Sequence, residues 1–233
     1  MKPYLLSALC SLVIVGLASS ATGSGELITN GAFSSLEGWG PEETAENRKI
    51  ADLNSPFSEV YPDNGKAVRL LGSSKTRLPY LQQTFPAVTS GKVEVSWDFY
   101  VPEDTEDPSA PGWGVALYDG KNFKMSVAGV TISSRFRLNG EQGAGGPILL
   151  QKKFPAGQWY HFQAILDLDA KTWSGALRAQ NGAEETFHDV AFHPTDGEGV
   201  EVGGIRFGSM AAGKDQAPKP FLFDNISVRP VAP

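Results

Sequence analysis

Along much of this chain apolar and polar residues alternate, in short runs that stop at Gly, Pro, Asn or Asp. A period of two puts successive side chains on opposite faces of an extended backbone, so each run predicts a strand with one apolar and one polar face. The clearest is Val93–Val101, where Val93, Val95, Trp97, Phe99 and Val101 oppose Glu94, Ser96, Asp98 and Tyr100. Val130–Leu138 predicts a second strand, with Val130, Ile132, Phe136 and Leu138 set against Thr131, Ser133, Arg135 and Arg137. In Trp159–Asp169, Tyr160, Phe162, Ala164, Leu166 and Leu168 alternate with Trp159, His161, Gln163, Ile165 and Asp167. Trp113–Tyr118, Trp173–Ala179, Phe187–Phe192, Val202–Phe207 and Phe221–Arg229 complete the set. On every strand the apolar side is expected in the core and the polar side in water.

No segment sustains a helical period. Asp119-Gly120, Asn139-Gly140 and Asn181-Gly182 tolerate positive φ and suit tight reversals, and Asp167–Thr172 reads as another. Many short strands with turn signals between them predict an all-β fold, an antiparallel two-sheet β-sandwich. Three longer connections, Pro102–Gly112, Asn139–Gly146 and Ala211–Pro220, stand out as places for binding specificity. The opening Glu26–Gly40, "ELITNGAFSSLEGWG", is expected to supply the first strand.

Composition narrows the partners. Residues 1–21 carry Lys2, an apolar run from Tyr4 to Leu17 and then Ser19-Ser20-Ala21, the order of a secretory signal peptide. Residues 22–233 are then expected to form one domain, secreted or periplasmic, with no membrane anchor after cleavage. Cleavage would remove Cys10, the single cysteine, and so exclude disulfides from the mature chain. With 26 acidic against 20 basic residues the chain is a poor partner for nucleic acid, which needs a basic face.

"LITNGAFSSLEGW" near the start and "FLFDNISVRP" at the end resemble the terminal strands of jelly-roll carbohydrate-binding modules, of the galactose-binding-like kind. "GKAVRLLG", "LQQTF" and "KVEVSWDFYV" fit the strands that follow the first one there. "FPAGQWYHFQAILDLDAKTWSG", Phe154–Gly175, is similar instead to concanavalin-like, laminin-G-type sandwiches. Both resemblances imply an antiparallel sandwich with an exposed curved sheet, of jelly-roll type by the first and concanavalin-like by the second. The first also implies a structural calcium ion, one of whose ligands is often a Glu after the first Phe; that position is Ser34 here. Asp224 remains as a candidate oxygen ligand, and the same carboxylate could instead cap backbone amides beside a strand bulge. No cofactor is required by this reading.

Sugars offer a flat apolar face ringed by hydroxyls, which aromatic rings and planar polar groups match. The ligand-binding candidates are therefore Tyr100, Trp113, Arg135, Arg137, Trp159, His161 and Gln163. Trp97 and Trp39 are expected in the core, whereas Trp173 could serve core or ligand. The resulting expectation is a non-catalytic polysaccharide-binding protein. Its alternatives are a polysaccharide lyase or glycoside hydrolase working through His161, Arg135 and Tyr100, and a structural or adhesive module. The laminarinase pattern Glu-x-Asp-x-x-Glu has no match, since "DGEGVE", Asp196–Glu201, reorders the acids among glycines. His188 and His193 lack a second ligand at zinc spacing, and no nucleophile elbow, phosphate loop or dinucleotide fingerprint occurs.

Overall fold

The computed structural model describes residues 25–40, 48–57, 61, 66–70, 80–101, 103, 113–118, 126–132, 136–139, 148–149, 155–192, 201–209 and 221–232; in 113–114, 126–132, 136–139, 148–149 and 209 the description is of the backbone alone. The leader, Arg135 and nearly all of the three long connections lie outside these residues.

The strands are β1 (Arg48–Ala51), β2 (Ala67–Leu70), β3 (Tyr80–Val88), β4 (Lys92–Val101), β5 (Trp113–Tyr118), β6 (Ser126–Ile132), β7 (Phe136–Asn139), β8 (Ile148–Leu149), β9 (Gln158–Asp167), β10 (Thr172–Ala179), β11 (Glu184–Ala191), β12 (Val202–Ser209) and β13 (Phe221–Val231). They form a seven-stranded sheet, β1-β2-β13-β4-β9-β10-β11, and a six-stranded sheet, β3-β12-β5-β6-β7-β8. All pairings are antiparallel among the described residues, and the architecture is a jelly-roll β-sandwich.

The alternation of each run decides what fills the gap between the sheets. Val93, Val95, Trp97, Phe99 and Val101 of β4 are all buried, as are Tyr160, Phe162, Ala164 and Leu166 of β9. From the other sheet come Leu81, Val115, Leu117, Ile205 and Phe207. Trp97 stacks on Phe162 with centroids 4.1 Å apart and meets Phe207 edge-on at 6.1 Å, so the two layers are joined through aromatic contact. Each such side chain contributes about 1.5–3 kcal/mol through burial. Trp39 and Trp97 are core as expected, and Trp173, 1% exposed, belongs to the core as well.

Two tight reversals form as the turn residues predict. In β9–β10 the Asp167 carboxylate accepts the Ala170 amide at 2.8 Å and Lys171 takes φ 58°. In β10–β11 Gly182 takes φ 85° and Asn181 accepts the Ala183 amide at 3.0 Å. The run Val130–Leu138, by contrast, is not one strand. β6 and β7 pair antiparallel, Ile132 opposite Phe136, so the chain reverses between them. Because Val130 and Leu138 are themselves register partners, the apolar residues still share a face. Alternation alone could not distinguish a strand from two arms of a hairpin.

The opening segment also departs from expectation. Glu26–Gly40 forms turns and one isolated bridge, Gly40 with Gln82, rather than a strand. It spans the gap between the sheets and is held by side chains. The Glu26 carboxylate accepts the amides of Ile28 and Val228, both at 3.0 Å, and the Ser227 hydroxyl at 2.5 Å, while Leu27 donates to the Val228 carbonyl at 2.9 Å. On the other sheet, Gln83 accepts the Thr29 amide at 2.6 Å and donates to the carbonyls of Thr29 and Gly38 at 3.0 and 3.2 Å. Asn30 and Phe33 take φ of 53° and 52°, left-handed values outside the extended range of a regular strand. Ile28 and Ile226 nonetheless meet in one core cluster, so the two ends of the chain lie in the same sandwich.

Gly31 makes this closure possible. Its amide carbonyl accepts from Ile226 at 3.0 Å, and a Cβ there would sit 1.9 Å from the Ile226 oxygen. We expect Gly31→Ala to lower stability by about 1–3 kcal/mol, the usual cost of overpacking. Gly40→Ala, where a Cβ meets nothing within 4 Å, serves as the control. Urea denaturation of the two variants checks this; equal midpoints would contradict it.

Candidate functional site

The sandwich has two outward faces, and a described segment lies across one of them. On the seven-stranded sheet, register brings Asp224, Asp98, His161, Arg178 and Glu184 into one cross-strand row. The segment Ser55–Phe57 lies over this row. Asp224 accepts the Ser55 amide at 2.9 Å and the Asn225 amide at 2.8 Å; Asn225 donates its side-chain amide to the Phe57 carbonyl at 2.6 Å and to Asp98 at 2.7 Å. The other oxygen of Asp98 is 2.6 Å from His161 Nδ1. The Phe57 ring sits 5.5 Å from the His161 ring, with the Arg178 guanidinium 5.1 Å from the Phe57 centroid on its own account.

Asp224, Asp98 and His161, at the covered part of this row, are consequently not in water. Asp98 and Asp224 are 0% exposed and His161 7%, and Ser96 is buried too. Burial pushes the Asp98 carboxyl above its ordinary value of 3.8, opposed by its hydrogen bonds to His161 and Asn225. Trp159 is also buried, in a small cluster with Ala67 and Leu222 against which Phe57 and Tyr100 pack. The expectation of a wet face therefore fails here, because a segment distant in sequence covers it. Away from this cover the sheet reaches solvent, as where exposed Gln163 donates to Glu94 at 2.7 Å.

Asp224 uses both carboxylate oxygens on backbone amides, beside the register shift between Asp224 and Ser227. That is the capping role of the two read for it, and among the described residues no group of three or more His, Cys, Asp or Glu side chains is placed to hold a metal.

The six-stranded sheet presents a different face. Its inward residues alternate with three outward rows: Tyr80–Gly208–Gly114–Thr131–Arg137, Gln82–Arg206–Ala116–Gly129–Asn139, and Thr84–Gly204–Tyr118–Ser126. The Arg206 guanidinium lies over the Tyr80 ring, 3.9 Å from its centroid. Tyr80, Gln82 and Arg206 are partly exposed and Thr84 is exposed. Beside the stacked pair the rows carry Gly208, Gly114, Ala116 and Gly129, residues whose own side chains add little or nothing to the sheet surface. Gly204 has a separate reason to be glycine: a Cβ there would be 2.4 Å from the ring of Tyr118, which crosses it to donate to the Gln83 carbonyl at 3.4 Å.

The sequence candidates divide between these faces. Tyr100, Trp159, His161 and Gln163 stand on the seven-stranded sheet, with Trp159 and His161 beneath cover. Arg137 stands on the six-stranded sheet, as does Trp113, whose register partners Ser209 and Ile132 put it in a row next to the three outward ones. Arg135 lies outside the described residues. The seven do not make one patch. Tyr80 and Arg206 were missed, although Arg206 is the one charged residue of β12, in "VGGIRFGS", and a lone cation in a Gly-rich strand is a usable signal.

No protein-family model matches the chain, and no curated protein matches it. Solved structures do. The catalytic domain of a glycoside hydrolase family 131 protein from Coprinopsis cinerea superposes with a TM-score of 0.55 at 13% identity, covering 92% of this chain and 87% of that one. A GH131 beta-glucanase catalytic domain from Podospora anserina gives 0.53 at 12% identity, with 84% of each chain covered. A sialidase gives 0.51 at 13% identity over 80% of this chain, which spans 17% of that protein's length. At these identities the likeness establishes the jelly-roll fold.

A carboxyl with a raised folded-state pKa holds its proton more tightly in the folded chain, so its contribution to stability is largest below 3.8 and declines as pH rises through the raised value. Asp98→Asn removes that decline. We expect the stability of the parent relative to this variant to fall as pH increases above 3.8, measured by denaturation at a series of pH values. A difference that stays constant or rises with pH would show that His161 outweighs burial.

Proposed function

We propose that this chain is a secreted glycan-binding protein whose binding surface is the outer face of the six-stranded sheet, around Tyr80 and Arg206. The observation that carries the proposal is the stacked Tyr80–Arg206 pair beside a floor of Gly208, Gly114, Ala116 and Gly129. A sugar ring needs an aromatic wall for its apolar face and planar donors for its hydroxyls, with room to lie down. Tyr80 offers such a wall here, with planar Arg206 and Gln82 and the small residues of the rows beside it. The covered face of the other sheet offers none of them at His161 and Trp159.

Three further points support this reading. Two proteins of the same fold are named as a glycoside hydrolase domain and a beta-glucanase. The order of charge, apolar run and small residues in Met1–Ala21 suits export to where polysaccharides are met. The groups in the outward rows, a phenol, guanidinium, amides and hydroxyls, are groups that hold a sugar; glycoside hydrolysis asks for a pair of carboxyl groups flanking the bond. Binding is what this face supplies by itself.

The test is affinity electrophoresis of the protein in gels cast with each member of a polysaccharide panel, with reducing and unsaturated ends assayed on the same mixtures. Retention without released ends is expected. Tyr80→Ala should weaken retention about tenfold, in keeping with the loss of one stacking wall, with an unfolding curve to confirm that the variant folds. Release of sugar ends would replace binding by catalysis, and absence of retention throughout would remove the glycan reading.

A further inference from the structure

Asn225-Ile226-Ser227 is the one Asn-x-Ser/Thr tripeptide in the chain. Such a tripeptide is the acceptor for N-linked oligosaccharides and ordinarily stands on a surface loop. Here it lies inside β13, at the bulge, and all of it is buried: Asn225 is 3% exposed, Ile226 0% and Ser227 1%. We infer that this fold and N-glycosylation of Asn225 exclude one another, so that the folded chain carries an unmodified amide at its single acceptor tripeptide. The inference does not depend on the ligand proposed above. It concerns the fate of the chain on an export route that glycosylates its cargo.

The exclusion follows from what the side-chain nitrogen already does. Oligosaccharide transfer from a lipid-linked diphosphate donor joins the sugar C1 to Nδ2 and breaks the bond from C1 to the phosphate oxygen, and one Nδ2 proton is lost with the departing diphosphate. Both Nδ2 protons of Asn225 are in use, donated to the Phe57 carbonyl at 2.6 Å and to Asp98 at 2.7 Å. Modification removes one of these donors and sets a sugar ring where the Phe57 carbonyl or the Asp98 carboxylate stands. The backbone holds the side chain in that place: Asn225 takes φ 50°, its own amide is accepted by Asp224, and the amide and carbonyl of the next residue, Ile226, are bonded to Gly31 and Tyr61. The Ser227 hydroxyl, the other group that defines the acceptor, donates to Glu26 at 2.5 Å. Turning the Asn225 amide out to a transferase would also take a donor from Asp98, a carboxyl with 0% exposure and no water to replace it. A transferase therefore reaches this amide only in an unfolded chain, and a chain modified before folding cannot close the bulge that holds Ser55–Phe57.

The test offers the full chain to a purified oligosaccharyltransferase with a lipid-linked oligosaccharide, once folded and once diluted from urea straight into the reaction. Occupancy of Asn225 is read by peptide mass spectrometry. The folded chain should be modified at least about tenfold less than the unfolded one, because its amide is reached only through opening of the structure. The modified chain, returned to folding conditions beside a mock-treated sample, should lack the cooperative urea transition of the unmodified chain. Equal modification in the two states overturns the inference. So does modification in neither, since burial is then not what spares the tripeptide, and so does a glycosylated chain that unfolds at the unmodified midpoint. Secretion from a eukaryotic host that glycosylates its exports gives an independent reading: the secreted protein should have the mass of the bare polypeptide, and a secreted, folded form bearing an oligosaccharide on Asn225 overturns the inference.

Discussion

Much of this molecule depends on one irregularity, the bulge in β13 at which Asn225 takes φ 50° and the register with β4 shifts between Asp224 and Ser227. A regular strand would send alternate residues to alternate faces. The extra residue lets Asp224 and Asn225 both serve the outer side, while Ile226 is delivered to the core. Asn is among the few residues that accept the left-handed conformation at small cost, and its side chain then satisfies both the Phe57 carbonyl and Asp98. On the inner side the Ile226 amide and carbonyl are used by Gly31 and Tyr61. One bulge thus fastens the opening segment on one side of the sheet and the Ser55–Phe57 segment on the other.

This arrangement settles the character of the two faces. Asp98 and Asp224 can be buried without exposure because backbone amides and an Asn amide surround them, and because His161 lies against Asp98. A buried carboxylate left without such partners would cost several kcal/mol. The covered face is therefore committed to holding the chain together, and its ionisable groups are occupied. The face of the six-stranded sheet has no equivalent bulge-held segment among the described residues, and its largest partly exposed ring, Tyr80, is stacked by a cation rather than by another piece of core.

The fold was legible because alternation is a property of neighbours in sequence. β4, β5, β9, β10, β12 and β13 fall where apolar and polar residues take turns, and Asn181-Gly182 turns where it should. What alternation does not carry is whether a polar face is in water. Asp98 and His161 alternate with Trp97 and Phe162 as surface residues would, yet they are buried by Ser55 and Phe57, more than forty positions earlier than the nearer of the two. Glu26–Gly40 was misread for a related reason. Its apolar residues do enter the core, but left-handed Asn30 and Phe33 and the side chains of Glu26 and Gln83 replace strand pairing.

The candidate site was illegible from polar side chains because its distinguishing residues are the small ones. A Gly in a strand weakens it and usually signals a close approach or a space to be filled. Gly204 is the first kind, since Tyr118 lies across it. Gly208, paired with Gly114 and followed in that row by Thr131, sits next to Tyr80. The distinction appears only when register is known, because Gly204 and Gly208 lie in the same strand, on the same face, four residues apart. Cross-strand rows place the small residues of a glycine-rich run beside Tyr80 and its stacked Arg206, and that placement, more than any catalogue of aromatic residues, is what locates the candidate surface.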